Sequence, residues 1–426
     1  MNFSTHALSV SRPGAPNFII EQFQQACARR TSTLSLTANE NILSETARTL
    51  GQNRHYERYL FNAQAIDGQR YAAEFNGMHV EHFPEVETLK ALATQAVQSM
   101  FNAAFVEYRV LSGVHCTLSV LTALTEPGDT ILSLAPESGG HFATRPLVQK
   151  IGRCSVLFTL TADGQIDLEN VDQQLQALGT PPAAVLLDHG LTTRAIAIKP
   201  LRTLLNRRGL ERTLIIYDAS HTLGLIAGQA FPNPLDDGAD ILQGNTHKSL
   251  AGPHRALIVS RRVDLARQIE QTLSDGLVSS PNLPGLLQLF VTLVETQHYG
   301  QAYAQRMCAN TRQLHDALAD LPGWTLHPTD THLLLLEGAL AQQAAQQLNE
   351  LGIRINNKQV NGRDCLRFGL QEITRLGISS EELDVLAHII RNVLNGGVNG
   401  VDRIRLAHIC QRLNQVHYSF DQEAHR

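Results

Sequence analysis

The segment FVEYRVLSGVHCTLSVLTALTEPGDTILSLAP, residues 105–136, decides the fold class. It opens with a strand-like apolar run, continues with apolar residues at helical spacing, and stops at Pro-Gly-Asp before a second strand-like run. A strand, a helix and a strand in this order form one unit of a parallel sheet, because parallel neighbours need a long crossover connection. The segment therefore predicts an α/β protein.

The same rhythm continues downstream of this segment. Strand-like runs recur between residues 154 and 260, with the sequences CSVLFTL, AAVLLD, TLIIYD, ADILQG and RALIVS, and several are separated by amphipathic segments. Runs rich in Val, Ile and Leu that alternate with helices indicate a mostly parallel central sheet sandwiched by helices. We expect this large domain to span residues 31–282, with a smaller α+β domain over residues 283–426 and an arm or helix over residues 1–30.

Composition excludes several classes of protein. The chain of 426 residues is 43% hydrophobic and 18% charged, with a formal net charge of −5, so a basic nucleic-acid-binding surface is not expected. No apolar run is long enough to cross a bilayer, and the start does not resemble a signal peptide. The six cysteines show no metal-binding spacing. We expect a cytoplasmic enzyme without a metal site, a membrane anchor or a nucleic-acid partner.

Three polar sequences follow predicted strands, namely LSGVHCT (111–117), YDASH (217–221) and NTHK (245–248). In open α/β sheets, ligands bind outside the carboxyl ends of the strands. Each sequence alone has a structural interpretation, as a helix start, a helix cap and a solvated loop lysine respectively. Together they supply what pyridoxal 5'-phosphate requires: a lysine for a Schiff base, a carboxylate for the pyridine nitrogen and a helix N-terminus for the phosphate. These residues are Lys248, Asp218 and Gly113.

Seven motifs, in this order, resemble those of serine hydroxymethyltransferases, which are fold-type I pyridoxal-phosphate enzymes. They run from about residue 34 to 390 and read LSLTANEN, SGVHCT, EPGDTILSLAPESGGH, YDASHTLGLIAG, GNTHKSLAGP, TDTHLLLL and LRFGLQEITRLG. The resemblance implies the fold-type I architecture, pyridoxal 5'-phosphate as the cofactor and a homodimer in which two chains share each active site.

The resemblance also implies the roles of the residues around the cofactor. Lys248 forms the Schiff base, and Asp218 pairs with the pyridine nitrogen. His221 lies near the phenolic oxygen, His141 stacks on the ring, and His247 lines the site.

Phosphate and substrate contacts follow from the same resemblance. Gly113 and Val114 stand where the family binds phosphate, with Val114 in place of a serine, and Ser280 aligns with a glycine that reaches the phosphate from the neighbouring subunit. Arg367 grips the substrate carboxylate, for which a bidentate guanidinium is suited. Asn39 replaces a serine that helps to bind the same carboxylate.

Other positions depart from the family pattern. The partner-subunit Tyr-x-Glu motif has no clean match, so Tyr56, Glu57 and Tyr59 in RHYERY are candidates for its residues. The general base that takes the β-hydroxyl proton is either Glu40 or Glu57, and the sequence does not choose between them. The stretch NNKQVNGRD (356–364) is short where the family carries a loop that contacts folate.

These departures favour L-threonine transaldolases, a divergent branch of the family, over the folate-dependent enzymes. Such enzymes cleave L-threonine to acetaldehyde and a glycine quinonoid, which then adds to another aldehyde. Three alternatives stay open: a serine hydroxymethyltransferase that uses tetrahydrofolate, another outcome at the same carbanion such as racemisation, transamination or Mannich-type cyclisation, and a module that binds the cofactor without catalysis.

Overall fold

The computed structural model describes residues 21–27, 32–60, 64–67, 70–75, 78–360 and 362–422. Most of the predicted arm over residues 1–30 lies outside these ranges, and residues 21–27 are helical. Within the described ranges, no helix is both long and apolar enough to cross a membrane.

Thirteen α-helices lie in the described chain between residues 45 and 412. They are α1 (Glu45–Gly51), α2 (Pro84–Phe101), α3 (Gly113–Leu124), α4 (Thr144–Lys150), α5 (Leu168–Ala177), α6 (Lys199–Arg207), α7 (Leu223–Ala227), α8 (Val263–Thr272), α9 (Leu283–Ala317), α10 (Ala341–Leu351), α11 (Gln371–Arg375), α12 (Ser380–Leu394) and α13 (Gly400–Arg412).

Sixteen strands accompany them. They are β1 (Leu34–Ser35), β2 (Gln64–Asp67), β3 (Arg70–Phe75), β4 (Met78–His82), β5 (Phe105–Glu107), β6 (Thr130–Leu134), β7 (Cys154–Phe158), β8 (Ala184–Leu187), β9 (Leu214–Asp218), β10 (Ile241–Asn245), β11 (Ala256–Ser260), β12 (Thr325–Leu326), β13 (Leu333–Glu337), β14 (Ile353–Arg354), β15 (Asn356–Val360) and β16 (Arg363–Gly369).

The central sheet has seven strands in the order β5-β11-β10-β9-β8-β6-β7. All its neighbours pair in parallel except β11, which is antiparallel to both β10 and β5. Strands β6, β8 and β11 are buried along their whole length, as expected for strands that are covered on both faces. The predicted mostly parallel α/β fold is confirmed.

The topology brings two predicted site residues to one edge of this sheet. Asp218 is the last residue of β9, and Gln243 on the parallel strand β10 is its register partner. Lys248 follows the end of β10. Because parallel strands end at the same edge, the carboxylate and the lysine come to neighbouring positions.

A second sheet, with the strand order β12-β13-β16-β15, lies in the C-terminal part of the chain. Its apolar residues pack with α10, α12 and α13 into one hydrophobic cluster, whereas the central sheet belongs to two others. Helix α9 contributes Leu283 to a central-sheet cluster and Leu314 to the C-terminal one. The predicted boundary after residue 282 thus coincides with the start of a helix that spans both parts, and the division into domains stays a prediction.

Candidate active site

A cavity of about 520 Å³ opens at the carboxyl ends of β8, β9 and β10. Its wall includes six titratable side chains: His141, Asp188, His189, Asp218, His221 and Lys248. A concave site with a few convergent polar groups is typical of small-molecule binding sites. The structure therefore brings Lys248 and Asp218 into one cavity.

The lysine amine in this cavity is held beside a neutral imidazole. Lys248 Nζ lies 3.2 Å from His221 Nε2. Burial lowers the pKa of Lys248 to about 8, although the nearby Asp218 raises it. Burial, followed by the charge of Lys248, lowers the pKa of His221 well below its usual value. The imidazole is therefore uncharged at neutral pH, and a larger fraction of the amine is unprotonated than in a solvated lysine.

Asp218 is oriented by two donors from the surrounding sheet. The backbone N–H of Ser220 donates to Oδ1 at 2.8 Å, and Gln243 Nε2 donates to Oδ2 at 3.2 Å. Gln243 is fully buried and also donates to Thr117 Oγ1 at 2.8 Å. Sequence reasoning missed this glutamine, and its only signal was a polar residue in the otherwise apolar strand ADILQG.

Helix α3 starts at the cavity wall, which includes Gly113, Val114 and Thr117. Ser112 caps this helix by accepting from the backbone N–H of His115 at 3.2 Å. The Gly113 N–H donates to Asn245 Oδ1 at 2.8 Å, and a Cβ on Gly113 would stand 2.7 Å from Asn245 Nδ2. Glycine is thus required by the close approach of Asn245, and the helix N-terminus it opens suits an anion.

Arg367 is surrounded by neutral oxygen atoms. Its guanidinium donates to Asn356 Oδ1 at 3.2 Å, to Asn39 Oδ1 at 3.2 Å and to the Gly190 carbonyl at 3.4 Å. Burial lowers the pKa of Arg367 to about 10, so it stays charged at neutral pH. A half-buried guanidinium that has no carboxylate partner among the described residues fits the predicted role in binding a substrate carboxylate. Asn39, predicted for the same task, contacts it directly.

Of the predicted histidines, His141 lies at the cavity wall and His247 does not. His141 lines the cavity, and partial burial together with the charges of Lys248 and Lys358 lowers its pKa, although Asp218 raises it. His247 is not part of the cavity wall. Its ring stacks on His254 with 3.9 Å between the ring centroids, and burial followed by His254 lowers the pKa of His247 to about 3. The prediction that His247 lines the site is thus not met by the single chain, in which its side chain contacts His254.

Arg367 and Asn39 reach the cavity wall only through Gly190, and the remaining predicted residues also stand outside the wall of the single chain. Glu40 forms an ion pair with Arg354 at 2.9 Å. Tyr56 donates to Glu85 at 3.1 Å, Glu57 is exposed, and the side chain of Tyr59 is 70% exposed. Ser280, like Glu40, is absent from the residues that line the cavity. The roles proposed for Tyr56, Glu57, Tyr59 and Ser280 involve a second chain and stay predictions.

Asp188 is a cavity residue that sequence reasoning missed. It follows β8, accepts a hydrogen bond from Thr144 Oγ1, and has its other oxygen, Oδ1, buried without a partner. Burial raises the pKa of Asp188 to about 7. Asp188 is the last residue of the strand-like run AAVLLD, just as Asp218 is the last residue of TLIIYD. The same pattern therefore identifies both aspartates.

The residues at this cavity fit pyridoxal 5'-phosphate. Two buried atoms at its wall have no partner in the described chain, Asp188 Oδ1 and His221 Nδ1. Buried polar atoms are normally satisfied, so such orphans indicate groups that await a polar ligand. The lysine amine, the Asp218 carboxylate and the start of α3 surround the same space. This is the donor set that the aldehyde, the ring nitrogen and the phosphate of the cofactor require.

Comparisons with known proteins identify the family of the chain. The model of the serine hydroxymethyltransferase family matches residues 16–390. A fluorothreonine transaldolase from Streptantibioticus cattleyicolor is 32% identical over 86% of this chain, which spans only 58% of that relative's length. An L-threonine:uridine-5'-aldehyde transaldolase from Streptomyces sp. is 31% identical over 87% of each chain. A serine hydroxymethyltransferase from Archaeoglobus fulgidus is 28% identical over 97% of this chain and 95% of its own.

A solved structure extends the agreement to the fold. The crystal structure of L-threonine transaldolase from Pseudomonas fluorescens in the internal aldimine state has a TM-score of 0.85, with 24% sequence identity, and covers 96% of this chain and 94% of its own. At this identity the likeness concerns the fold, and it confirms the predicted fold-type I architecture. The chain belongs to the serine hydroxymethyltransferase family of pyridoxal-phosphate-dependent transferases.

Proposed function

We propose that this enzyme binds pyridoxal 5'-phosphate and performs aldol-type chemistry on β-hydroxy-α-amino acids. In this proposal it cleaves L-threonine or a similar amino acid to an aldehyde and transfers the remaining glycine unit to a second aldehyde. Two relatives of the chain are named as transaldolases, one for fluorothreonine and one for threonine with uridine-5'-aldehyde.

One observation carries the proposal, which is the shared cavity of Lys248 and Asp218. The lysine amine is uncharged in a substantial fraction at neutral pH, because burial lowers its pKa to about 8. The carboxylate is held by Ser220 and Gln243 and lines the same cavity. A single ring can therefore contact both groups.

The bound cofactor supplies an electron sink for the bond that breaks at the amino acid's α-carbon. The protein residues position the substrate and move protons around it. Arg367, with Asn39 and Asn356 beside it, holds the α-carboxylate by charge-assisted hydrogen bonds. Lys248 would hold the aldehyde carbon of the cofactor until the substrate amine takes its place, and His221, whose Nε2 lies 3.2 Å from Lys248 Nζ, would orient the amine by a hydrogen bond. Asp218 keeps the proton on the ring nitrogen.

Glu40 and Glu57 are the two candidates for the base that takes the β-hydroxyl proton. Glu40 forms an ion pair with Arg354 at 2.9 Å and is absent from the cavity wall. Glu57 is exposed on the single chain and would act in the cavity of a partner. Glu57 is therefore the better supported base if the enzyme is a homodimer with shared sites.

We also propose the homodimer itself and the domains spanning residues 31–282 and 283–426. Large apolar side chains are exposed close to the cavity entrance, where Phe142 is 79% exposed and Val114 is 45% exposed. A second copy would cover such a surface. Light scattering on the purified protein tests this assembly, and a strictly monomeric active enzyme would contradict it.

Assays with threonine separate the candidate functions. We expect acetaldehyde to form from L-threonine without folate, and a new β-hydroxy amino acid to form when a second aldehyde is added. If only serine with tetrahydrofolate reacts, the enzyme is a serine hydroxymethyltransferase. Racemised or transaminated products would indicate another outcome at the α-carbon, and cofactor binding without turnover would indicate a non-catalytic module.

A further inference from the structure

Lys358 lies on β15, next to the strand of Arg367, and its ammonium group reaches the candidate active site. Its Nζ is 3.9 Å from the point where a Cβ would stand on Gly190, and His221 Nε2 is 4.0 Å from the same point. The Gly190 carbonyl accepts from Arg367 Nη1 at 3.4 Å. Gly190 and His221 both line the cavity. Lys358 and Arg367 therefore approach one backbone position at the cavity wall from neighbouring strands.

No acidic residue in the described chain pairs with this lysine. Cross-strand register places Lys358 opposite Cys365, and Cys365 opposite Glu337. The Glu337 carboxylate already has two partners: Arg363 Nη1 donates to its Oε1 at 2.9 Å, and His327 Nε2 lies 3.3 Å from its Oε2. Among the described residues, Lys358 forms no hydrogen bond or ion pair.

The surroundings of Lys358 disfavour an unpaired charge. Burial, followed by the charge of Arg367, lowers the pKa of Lys358, and only Asp188 raises it. Asp188 is a weak counter-ion near neutral pH, because burial raises its own pKa to about 7. Two cations thus approach Gly190 at the cavity wall, and among the described residues neither has a fully charged carboxylate beside it. A ligand with negative charge at two positions would relieve the cost of both.

We propose that Lys358 forms an anion subsite next to the carboxylate site of Arg367, and that the side chain of the amino acid bears a carboxylate or a phosphate. The inference rests on the proposed function, in which Arg367 holds the α-carboxylate. The aldehyde that the enzyme releases or accepts then carries this second negative charge. Lys358 is a specificity-determining residue in this proposal, and it takes no part in bond breaking.

Equilibrium binding tests the subsite without any reaction. Calorimetry on the holoenzyme compares succinate, a dianion, with succinamate, in which one carboxylate is replaced by a neutral amide of the same shape. We expect the Kd for succinate to be about 10- to 100-fold lower, the effect of one charge-assisted hydrogen bond. Lys358→Met should bind the two ligands equally, and Lys358→Arg should retain part of the preference. Lys150→Met, at an exposed lysine on α4, is the matched control and should keep the wild-type preference.

Aldehyde acceptors test the same subsite during turnover. With L-threonine as donor, the ratio of kcat/KM for 4-formylbenzoate to that for 4-formylbenzamide should fall about 10-fold or more in Lys358→Met. A parallel measurement with 4-formylphenyl phosphate shows which anion the subsite prefers. The ratio is informative even if the substitution also changes overall activity.

The outcomes separate the two proposals. Equal Kd values for succinate and succinamate in the wild-type enzyme, or a preference that survives in Lys358→Met, would overturn the subsite. An enzyme that releases no acetaldehyde from threonine would contradict the proposed function, while the calorimetric comparison would still decide the role of Lys358.

Discussion

Lys248 Nζ and His221 Nε2 lie 3.2 Å apart in a cavity that also contains the Asp218 carboxylate. Burial, followed by the charge of Lys248, keeps the imidazole neutral, so it shares a hydrogen bond with the amine without placing a second positive charge beside it. The lysine in GNTHKSLAGP is therefore not an unpaired ammonium in an apolar turn. It is an amine whose pKa of about 8 makes it a nucleophile near neutral pH.

Replacement of Lys248 by Ala should remove the covalent link to the cofactor. We expect the visible absorbance of the holoenzyme to change and borohydride reduction to attach no cofactor mass to the protein. Activity should fall by about three orders of magnitude or more, as for other residues that react directly. Lys199→Ala, at an exposed lysine, is the control. Cofactor that still becomes fixed to the Lys248→Ala chain would refute the assignment.

Asp218→Asn should slow turnover by a factor on the order of 10² to 10³, because a neutral amide cannot hold the proton on the ring nitrogen. The loss should affect kcat, with cofactor content measured separately by absorbance after alkaline release. Asp320→Asn is a suitable control, since Asp320 is exposed at φ 58° and Asn tolerates this conformation. Near-normal kcat in the Asp218 variant would contradict its role.

Arg367→Met should raise the KM for L-threonine by about 10- to 100-fold, because the α-carboxylate loses its charge-assisted hydrogen bonds. Arg367→Lys should give an intermediate KM, since it keeps the charge and loses the planar fork. Steady-state kinetics with L-threonine measure both. An unchanged KM in Arg367→Met would move the carboxylate site elsewhere.

Gly113→Ala should weaken cofactor binding, with a cost of about 1–3 kcal/mol from overpacking. The added Cβ would stand 2.7 Å from Asn245 Nδ2 and would displace the start of α3 or the asparagine. Equilibrium dialysis of the cofactor measures the change in Kd. Gly276→Ala is the control, because nothing lies within 4 Å of its Cβ position. Equal affinity in both variants would show that α3 does not hold the phosphate.

Asp188→Asn should change how stability depends on pH. Burial raises the pKa of Asp188 to about 7 in the folded chain, above the ordinary 3.8, so rising pH ionises the unfolded state first and destabilises the wild type between these values. The free-energy penalty is absent well below pH 3.8, reaches about 4 kcal/mol above pH 7, and is missing from the neutral variant. Urea unfolding at pH 5 and pH 8 should show the Asn variant gaining stability relative to the wild type. A constant difference would contradict the raised pKa.

Local patterns in the sequence were sufficient to predict the central sheet and the meeting of Asp218 with Lys248. Apolar runs that alternate with helices define parallel strands, and the last residues of parallel strands share one edge. Gln243 and Asp188 obey the same rule and were overlooked because each is an isolated polar residue after or within an apolar run.

Resemblance to a family identified residues that are far apart in the sequence, which spacing along the chain could not do. Arg367 and Asn39 are separated by 328 positions, and no periodicity connects them, yet Asn39 Oδ1 accepts from Arg367 Nη2 at 3.2 Å. The motif order identified both residues. It did not show that His247 stacks on His254, since a side chain's direction depends on its neighbours in space.

The sequence by itself determined the alternation of strands and helices, the order of motifs and the lysine–aspartate pair, because these follow from short-range periodicity and from strand ends. Only the tertiary structure decided that Lys358 reaches Gly190, that Glu40 is engaged by Arg354 and that Asp188 is buried. The reason is physical: these contacts depend on how two separate sheets pack around one cavity, and packing sets burial, counter-ions and pKa values that no local pattern encodes.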